Sequence, residues 1–238
     1  MDKGIIQGDR SAKSFVLDLL FPNRCPFCGG FIKYDVLCCD ECFPEILWSD
    51  EYICRICGKP KDPQCGCEEV RTYDMCITAA YYDGIVTEGI YSLKFRNNLN
   101  SAAIFGRALR DTLRESGLLD KADLAVPVPM SPREQRVRGY NQAEELCRFI
   151  TEGTDIPMRT DILFRRYSRK AQHTLEASQR REGAERTYYV KSSDLILSGK
   201  TVLLADDVLT TGSTLNACAA LLKDLGAKAV ICAAAATA

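Results

Sequence analysis

Residues 202–214, VLLADDVLTTGST, decide the fold of this chain. The apolar run at 202–205 is too short for a helix, so it predicts a buried strand. Two adjacent acids, Asp206 and Asp207, come at the end of that strand. The loop at 210–214 is rich in Thr, Gly and Ser, which is typical of a turn that opens a helix. The alternative is an ordinary strand end, with surface acids followed by a helix N-cap.

Strands and helices alternate on both sides of this stretch. A helix is predicted at about 212–225, and Gly226 ends it as its C-terminal cap. Because the two kinds of element alternate, we expect a doubly wound, mostly parallel α/β sheet with helices on both faces. Ligands of such sheets bind at the carboxyl ends of the strands. Further strands are predicted at 77–82, 124–129, 162–164 and 229–233, and further helices at 86–95, 101–115 and 141–152.

The acidic pair and the loop together suit a sugar phosphate. Backbone N–H groups at a helix start bind phosphate, and the helix dipole favours the negative charge. Gly212 lets the backbone approach the ligand, while Thr210, Thr211, Ser213 and Thr214 add hydroxyl donors. Neighbouring carboxylates can accept hydrogen bonds from the ribose 2′- and 3′-hydroxyls, directly or through Mg²⁺. The loop is not a Walker A loop, since no Gly-Lys-Ser/Thr follows four variable residues.

The bulk composition excludes several classes of protein. The 238 residues carry a net charge of −1, so the chain is not a polycation built to coat nucleic acid. No run of about 18 apolar residues occurs, so no transmembrane helix is expected. The apolar stretch at 15–21 is short and contains Asp18, which makes it a poor signal peptide. We therefore expect a cytoplasmic protein.

Cysteines dominate the first third of the sequence, where nine of the 13 fall between Cys25 and Cys67. In a cytosolic chain, such clustering is more typical of metal ligands than of disulfides. A Cys-x-x-Cys turn offers two thiolates to one tetrahedral Zn²⁺, and two turns close a structural site. A redox pair is the rival interpretation, and four successive pairs argue against it. The expected ligands are Cys25, Cys28, Cys39 and Cys42 for one site and Cys54, Cys57, Cys65 and Cys67 for a second.

Some details of the cysteine pattern stay open. Cys38 can replace its neighbour Cys39 as a ligand or remain a spare thiol, and the tight spacing of Cys65 and Cys67 leaves one or two zinc ions possible. Residues 1–75 carry a net charge of −4, so we expect a scaffold or protein-docking role rather than a nucleic-acid surface. The scattered cysteines are expected to be small buried hydrophobes: Cys76, Cys147, Cys218 and Cys232.

Several blocks of the sequence resemble known families. Residues 202–214 match the phosphoribosyl-pyrophosphate (PRPP) motif of type I phosphoribosyltransferases throughout. The chain as a whole resembles the ComF competence proteins, also called GntX or ComFC. The blocks that carry this resemblance cover nearly the entire chain: LDLLFP at 17–22 with the cysteine pairs, LKF at 93–95, VPVP at 126–129 through RGYNQ at 138–142, and the PRPP motif.

The ComF resemblance implies a type I phosphoribosyltransferase fold with an N-terminal double zinc ribbon. We expect the ribbon at 1–76 and the phosphoribosyltransferase-like domain at 77–238, with structural Zn²⁺ and with Mg²⁺ bound beside PRPP. Asp206 and Asp207 are the implied catalytic and ribose-binding residues. The implied pyrophosphate side comprises Pro127, Val128 and Pro129 with the cations Arg138 and Lys94, and Arg133 and Arg136 lie nearby. A covering loop is implied at Gln172, Leu175, Arg180 and Arg181, although Gly183 replaces an Asn that the family usually has there.

Three functions remain open at this point. The first is a part in DNA uptake during natural transformation, or in the use of external DNA, with PRPP as ligand or regulator. The second is an active phosphoribosyltransferase on an unidentified nucleobase or amine, and the third is a PRPP sensor without catalysis. Residues 159–181 carry a net charge of +5 with Tyr167 among them, which suits single-stranded DNA as well as a loop over PRPP. The resemblance also implies the competence helicase and other DNA-uptake proteins as partners.

Overall fold

The computed structural model describes residues 3–9, 11–50, 52–61, 71–166, 187–191 and 196–238. Its strands are β1 (Met75–Tyr81), β2 (Leu124–Pro127), β3 (Leu163–Arg165), β4 (Tyr188–Val190), β5 (Thr201–Leu209) and β6 (Ala229–Thr237). Its α-helices are α1 (Ala12–Leu20), α2 (Ile85–Phe95), α3 (Asn100–Glu115), α4 (Pro132–Arg138), α5 (Gln142–Ile150) and α6 (Ser213–Asp224). Short 3-10 turns occur at Lys3–Ile6, Phe43–Glu45 and Leu119–Lys121.

The central sheet has the strand order β1-β6-β5-β2, and every neighbouring pair is parallel. In its register Leu204 lies opposite Cys232 on one side and Val126 on the other. Because the strands are parallel, the carboxyl ends of β2 and β5 meet at one edge of the sheet. The strands β3 and β4 form a separate antiparallel pair.

Helices cover both faces of this sheet, which confirms the doubly wound architecture. Side chains of β5 alternate between the two faces, as the pleat requires. Leu203 belongs to the hydrophobic core under α3 and α5, where it joins Ile104 and Leu146. Leu204 belongs to the opposite core, where it joins Leu215 of α6. The four scattered cysteines are fully buried, as predicted: Cys76, Cys147, Cys218 and Cys232.

The cysteine-rich segment covers the outer edge of β1. The Ser49 backbone N–H donates to the Ala79 carbonyl at 2.8 Å, and the Tyr81 N–H donates to the Leu47 carbonyl at 2.8 Å. Phe27 reaches further inward, and its ring centroid lies 6.2 Å from that of Phe105 on α3. An exposed strand edge would otherwise invite pairing with another chain. The segment therefore shares one hydrophobic core with the sheet.

Some elements extend beyond the bounds that the sequence predicted. The prediction ended the β5 strand at residue 205, but β5 continues through both acids to Leu209, which pairs with Thr237. The strand β1 begins at Met75, so Cys76 lies within the sheet. Gly226 follows α6 with φ of 92° and ends the helix as predicted. No helix in the described part of the chain is both long and apolar enough to cross a membrane.

Candidate functional site

A polar cleft of about 240 Å³ lies at the carboxyl ends of β2 and β5. Predicted site residues converge on it from three separate blocks of sequence. Those lining it are Lys94, Val128, Pro129, Arg138, Asp206, Asp207 and Thr214. Five further polar lining residues were not assigned to this site from the sequence: Glu134, Asn141, Gln142, Arg165 and Tyr188.

The acidic pair forms the floor of the cleft. The Asp207 backbone N–H donates to Asp206 Oδ1 at 2.8 Å, and Lys94 Nζ lies 3.0 Å from Asp207 Oδ1. Burial, together with the charge of Asp207, raises the pKa of Asp206 to about 7. The charges of Lys94 and Arg165 lower that pKa, but they do not offset the burial. The pair therefore holds more negative charge than its protein neighbours neutralise, and it suits a cation or a hydroxyl donor.

The loop after β5 has the local geometry expected of a phosphate site. Gly212 has φ of 79° at the N-cap position of α6, a left-handed conformation that favours glycine. The Thr211 and Ser213 hydroxyl oxygens lie 2.9 Å apart, and the Ser213 N–H donates to Thr211 Oγ1 at 3.3 Å. Thr210 is exposed, while Thr214 faces the cleft. The first-turn N–H groups of a helix have no intrahelical acceptor, so they can serve an anion.

Arg71 lies beside this loop, which the sequence did not predict. Its Nη1 atom is 2.9 Å from the position that a Cβ atom at residue 212 would occupy, and it donates to the Tyr73 hydroxyl at 2.9 Å. The backbone of the next residue is also fixed, because the Thr72 N–H donates to Asn216 Oδ1 on α6 at 2.6 Å. The end of the cysteine-rich segment therefore packs directly against the predicted phosphate loop.

The chain after β2 is held beside β5 by its own hydrogen bonds. The Val128 N–H donates to the Ala205 carbonyl at 2.8 Å, and Asn141 Nδ2 donates to the Val128 carbonyl at 3.0 Å. Asn141 also caps α5 by accepting from the Ala143 N–H at 3.1 Å. The predicted pyrophosphate segment continues from Pro127, the last residue of β2, to Pro129. It is therefore fixed at the same edge as the acidic pair.

A short helix, α4, carries the arginines that follow the predicted pyrophosphate segment. Ser131 and Glu134 form a capping box at its start, in which each side chain accepts from the other's backbone N–H. At its end, Arg138 Nη1 donates to Gln142 Oε1 at 3.0 Å. The Arg138 guanidinium also lies 5.0 Å from the centroid of the Phe95 ring. These contacts orient Arg138 at the mouth of the cleft.

Gln142 has an unusual environment in the cleft wall. Its side chain is almost fully buried, and its Nε2 atom has no hydrogen-bond partner within the described residues. The nearby Tyr140 hydroxyl donates to the Leu93 carbonyl. A buried donor without an acceptor is costly, and such groups are rare outside binding sites. The RGYNQ block was the available signal, but the sequence did not show which of its side chains faces the cleft.

The pair β3–β4 supplies the remaining wall. Arg165 Nη1 lies 3.0 Å from Glu134 Oε2, and the Arg165 guanidinium is 5.9 Å from the centroid of the Tyr188 ring. Burial raises the pKa of Glu134, but hydrogen bonds from Ser131 and the charge of Arg165 outweigh it and lower the pKa overall. Several expected residues lie outside the described part of the chain: Tyr167, Gln172, Leu175, Arg180, Arg181 and Gly183.

A cluster of thiols forms a second candidate site, in the N-terminal segment. The Sγ atoms of four predicted ligands all lie within 4.8 Å of one another: Cys25, Cys28, Cys39 and Cys42. A tetrahedral zinc with Zn–S bonds of about 2.3 Å requires sulfur atoms about 3.8 Å apart. The Sγ atoms of Cys28 and Cys39 are 3.8 Å apart, so the thiols fit a zinc ion.

Cys38 does not belong to this cluster. It is fully buried, and its Sγ donates to the Cys39 carbonyl at 3.3 Å. Its Sγ also lies 3.9 Å from the Sγ of Cys25. The four-thiol cluster therefore contains Cys39, as the sequence favoured, and it leaves no open position for a substrate.

The turn at Cys54 repeats the hydrogen bonds of the turn at Cys25. The Gly29 N–H donates to the Cys25 carbonyl at 2.9 Å, and the Gly58 N–H donates to the Cys54 carbonyl at 2.7 Å. In both turns, the N–H of the first cysteine is bound to a carbonyl five residues later, at 2.8 Å. Cys54 and Cys57 are both buried, while Cys65 and Cys67 lie outside the described residues.

Comparison with known proteins identifies the family. Residues 16–76 match the double zinc ribbon domain, and residues 139–238 match the phosphoribosyl transferase domain. Competence protein F of Haemophilus influenzae is 30% identical over 228 residues, which cover 88% of this chain and 95% of that protein. This chain belongs to the ComF family.

Other ComF relatives match over most of their length. The DNA utilization protein YhgH of Escherichia coli K12 is 28% identical, over 76% of this chain and 82% of that protein. Competence protein ComFC of Bacillus subtilis is 24% identical, over 84% of this chain and 83% of that protein. The ComF assignment confirms the predicted phosphoribosyltransferase fold, and with the thiol cluster it supports a structural zinc in the N-terminal ribbon.

Proposed function

We propose that this ComF protein binds PRPP with Mg²⁺ in the cleft at the ends of β2 and β5. We further propose that it acts in the cytoplasm, in the uptake or use of external DNA. The observation that carries the PRPP proposal is the convergence on one cleft of the acidic pair, Thr214 of the phosphate loop and three basic side chains, Lys94, Arg138 and Arg165. The DNA role is supported by the relatives, which are named competence protein F and DNA utilization protein.

Each part of PRPP has a matching group in the cleft. The carboxylates of Asp206 and Asp207 accept from the ribose hydroxyls, and the backbone at 210–214 binds the 5′-phosphate. The strand end at Pro127, Val128 and Pro129 offers the pyrophosphate side, with Arg138 and Lys94 as its cations. The proposed phosphate-loop residues are Thr210, Thr211, Gly212, Ser213 and Thr214.

Magnesium suits the acidic pair. Hard divalent cations prefer carboxylate oxygens, and Asp206 and Asp207 offer two adjacent carboxyl groups, of which burial and the neighbouring charge raise the pKa of Asp206. When bound, Mg²⁺ would supply electrostatic stabilisation of the pyrophosphate. The protein itself holds Lys94 at the pair and keeps the two acids adjacent.

Titration calorimetry with PRPP and Mg²⁺ tests this assignment. Replacing both acids, Asp206→Asn with Asp207→Asn, removes two charge-assisted acceptors, each worth about 1.5–3 kcal/mol, so affinity should fall at least about 100-fold. The control is Asp120→Asn, an exposed acid on the 3-10 turn before β2. Equal affinity of the double variant and the wild type would refute the proposed ribose site.

An active phosphoribosyltransferase is the second candidate function. It is favoured by the placement of Lys94 and Arg138 around the acids, because departure of pyrophosphate needs charge stabilisation more than a general base. Pyrophosphate release from PRPP, assayed with nucleobases and amines, distinguishes this function. Release with one acceptor supports an enzyme, whereas binding without release favours a ligand or sensor role.

We also propose the two-part organisation and the remaining partners. The ribbon is assigned to 1–76, with Cys54, Cys57, Cys65 and Cys67 as a second zinc site, and the phosphoribosyltransferase-like domain to 77–238. The repeated turn at Cys54 supports the second site. Zinc analysis tests it, since one ion per chain would exclude a second site and two would support it. The proposed partners are single-stranded DNA, the competence helicase and other DNA-uptake proteins.

Two arginines of the basic stretch at 159–181 are held in ion pairs. Within its described part, Arg159 is paired with Asp161 at 2.7 Å and Arg165 with Glu134 at 3.0 Å. Paired cations release fewer counterions when a nucleic acid binds. Salt-dependent binding of an oligonucleotide tests this surface through a variant with Arg165, Arg166, Arg169 and Lys170 changed to Ala.

A further inference from the structure

Two aromatic rings are exposed side by side on the outer face of α2. Tyr91 and Phe95 are one helical turn apart, and they are 48% and 59% exposed. Their ring centroids lie 4.9 Å apart at an interplanar angle of 44°. The buried residues of α2 face the opposite way, towards the sheet and α3. The two rings therefore present a continuous aromatic surface to solvent.

An arginine lies over each ring. The guanidinium of Arg96 is 5.1 Å from the centroid of Tyr91, and that of Arg138 is 5.0 Å from the centroid of Phe95. The neighbouring helix α4 carries three arginines against one glutamate. One acid lies on the same face of α2, where Glu88 Oε2 is 3.8 Å from Arg96 Nη2. Cations therefore outnumber acids around the rings.

Helix stabilisation alone does not account for this arrangement. A contact between aromatic side chains one turn apart stabilises a helix far less than burial of both rings would. Exposed aromatic rings combined with arginine are instead enriched where a protein binds planar or anionic partners. Base-stacking platforms of single-strand-binding proteins have this composition, with aromatic faces for the bases and cations for the backbone.

The aromatic pair adjoins the proposed PRPP site. Lys94 lies between the two rings in sequence, and its Nζ is 3.0 Å from Asp207 in the cleft. Arg138 lines the cleft and contacts Phe95. A single-stranded nucleic acid that stacks on these rings would thus run past the mouth of the cleft.

We propose that Tyr91, Phe95, Arg96 and Arg138 form a stacking surface for the bases of single-stranded DNA at the mouth of the cleft. Successive bases take the places of the guanidinium groups over the two rings, and the displaced guanidinium groups contact the flanking phosphates. This surface rests on the proposed role in handling DNA, and it differs from the basic stretch at 159–181. It also places part of the path of the DNA on α2, the helix that supplies Lys94.

Fluorescence anisotropy of a labelled oligothymidine with the full-length protein tests the surface. Tyr91→Leu and Phe95→Leu remove a stacking face while keeping an apolar side chain, so each should weaken binding by about tenfold. Tyr91→Phe and Phe95→Tyr keep the ring and should bind like the wild type. The control Tyr52→Leu removes a ring that is 65% exposed in the cysteine-rich segment, and it should have no effect.

Salt dependence supplies a second readout. Arg96→Gln removes one phosphate contact, so the slope of log affinity against log salt should become shallower by about one. Unchanged oligonucleotide affinity of both leucine variants overturns the surface, as does a loss confined to the variant at Arg165, Arg166, Arg169 and Lys170. In either case DNA binding itself stands, and only its location changes.

PRPP binding separates this inference from the proposed function. Tyr91 does not line the cleft, so Tyr91→Leu should keep the wild-type affinity for PRPP with Mg²⁺. Loss of DNA binding with PRPP binding intact supports the surface. If the wild-type protein binds PRPP but no oligonucleotide at low salt, both the stacking surface and DNA as a partner are refuted. The proposed PRPP site is unaffected by that result.

Discussion

At the scale of single residues, the site is built at a cost to the stability of the free protein. Asp206 lies within β5 next to a second acid, where its charge loses hydration. Lys94 and Arg165 compensate only in part. Carboxylates with a pKa perturbed in this way are typical of binding sites.

The stability difference between Asp206→Asn and the wild type should depend on pH in a defined direction. The folded pKa of about 7 lies above the ordinary value of 3.8, so the native state binds the proton more tightly. The stabilising contribution of the protonated Asp206 is present below about pH 4 and is lost as pH rises through about 7. The variant should therefore be more stable than the wild type at about pH 8, by about 1–4 kcal/mol, with the difference vanishing near pH 4.

Urea unfolding at the two pH values measures this effect. The exposed variant Asp120→Asn is the control, and it should show no gain that grows with pH. Equal unfolding free energies for Asp206→Asn and the wild type at alkaline pH would show that the acid pair carries no burial cost.

Gly212→Ala should destabilise the protein for two separable reasons. An alanine at this position must adopt the left-handed backbone conformation, with φ of 79°. Its Cβ atom would also lie 2.9 Å from Arg71 Nη1. The backbone cost alone is about 1–2 kcal/mol. Gly117→Ala is the matched control, because its φ is 63° and nothing lies within 4 Å of the added Cβ.

Chemical unfolding of both glycine variants distinguishes the two contributions. A greater loss at residue 212 than at residue 117 measures the crowding by Arg71. Equal losses would mean that Arg71 moves away freely and does not shape the loop.

At the scale of elements, the errors in the structure predicted from the sequence have local causes. The strand β5 was predicted to end before its acids because charged residues normally end a buried strand. It continues because β6 pairs with it as far as Leu209. The helix α4 was not predicted, although Ser131 and Glu134 at the correct spacing are a capping signature.

The contact between α2 and the zinc ribbon gives an element-scale prediction. A Cβ atom at Gly89 would lie 2.5 Å from the Phe27 ring, so Gly89→Ala should destabilise the protein by about 1–3 kcal/mol through overpacking. Adding Phe27→Leu makes room and should recover part of the loss. Thermal unfolding of the single and double variants measures this coupling, and additive losses would contradict direct contact.

At the scale of the whole molecule, the zinc ribbon and the sheet share a hydrophobic core. Phe27, Phe43 and Ile46 of the ribbon join Phe105 of α3 in one buried cluster. The ribbon also pairs with the outer edge of β1. The first zinc site therefore stabilises more than its own segment.

Loss of the first zinc should consequently destabilise the entire chain. Structural zinc sites contribute about 10–16 kcal/mol to folding in isolated fingers, comparable to a whole domain's stability of about 5–15 kcal/mol. Cys25→Ser should lower the zinc content and the melting temperature of a single cooperative transition. The control Cys147→Ala alters a buried thiol outside the cluster and should keep the metal. A sheet domain that melts unchanged without zinc would contradict the shared core.

The sequence by itself determined the strand–loop–helix around Asp206, the first zinc ligands and the family. These features depend on spacing over a few residues, which the chain's local geometry converts directly into structure. Only the tertiary structure decided that Lys94 meets Asp207, that Arg165 and Tyr188 wall the cleft, and that burial raises the pKa of Asp206. Those features depend on strand order and on which helices cover each face, and residues far apart in sequence carry no local signal of such pairing.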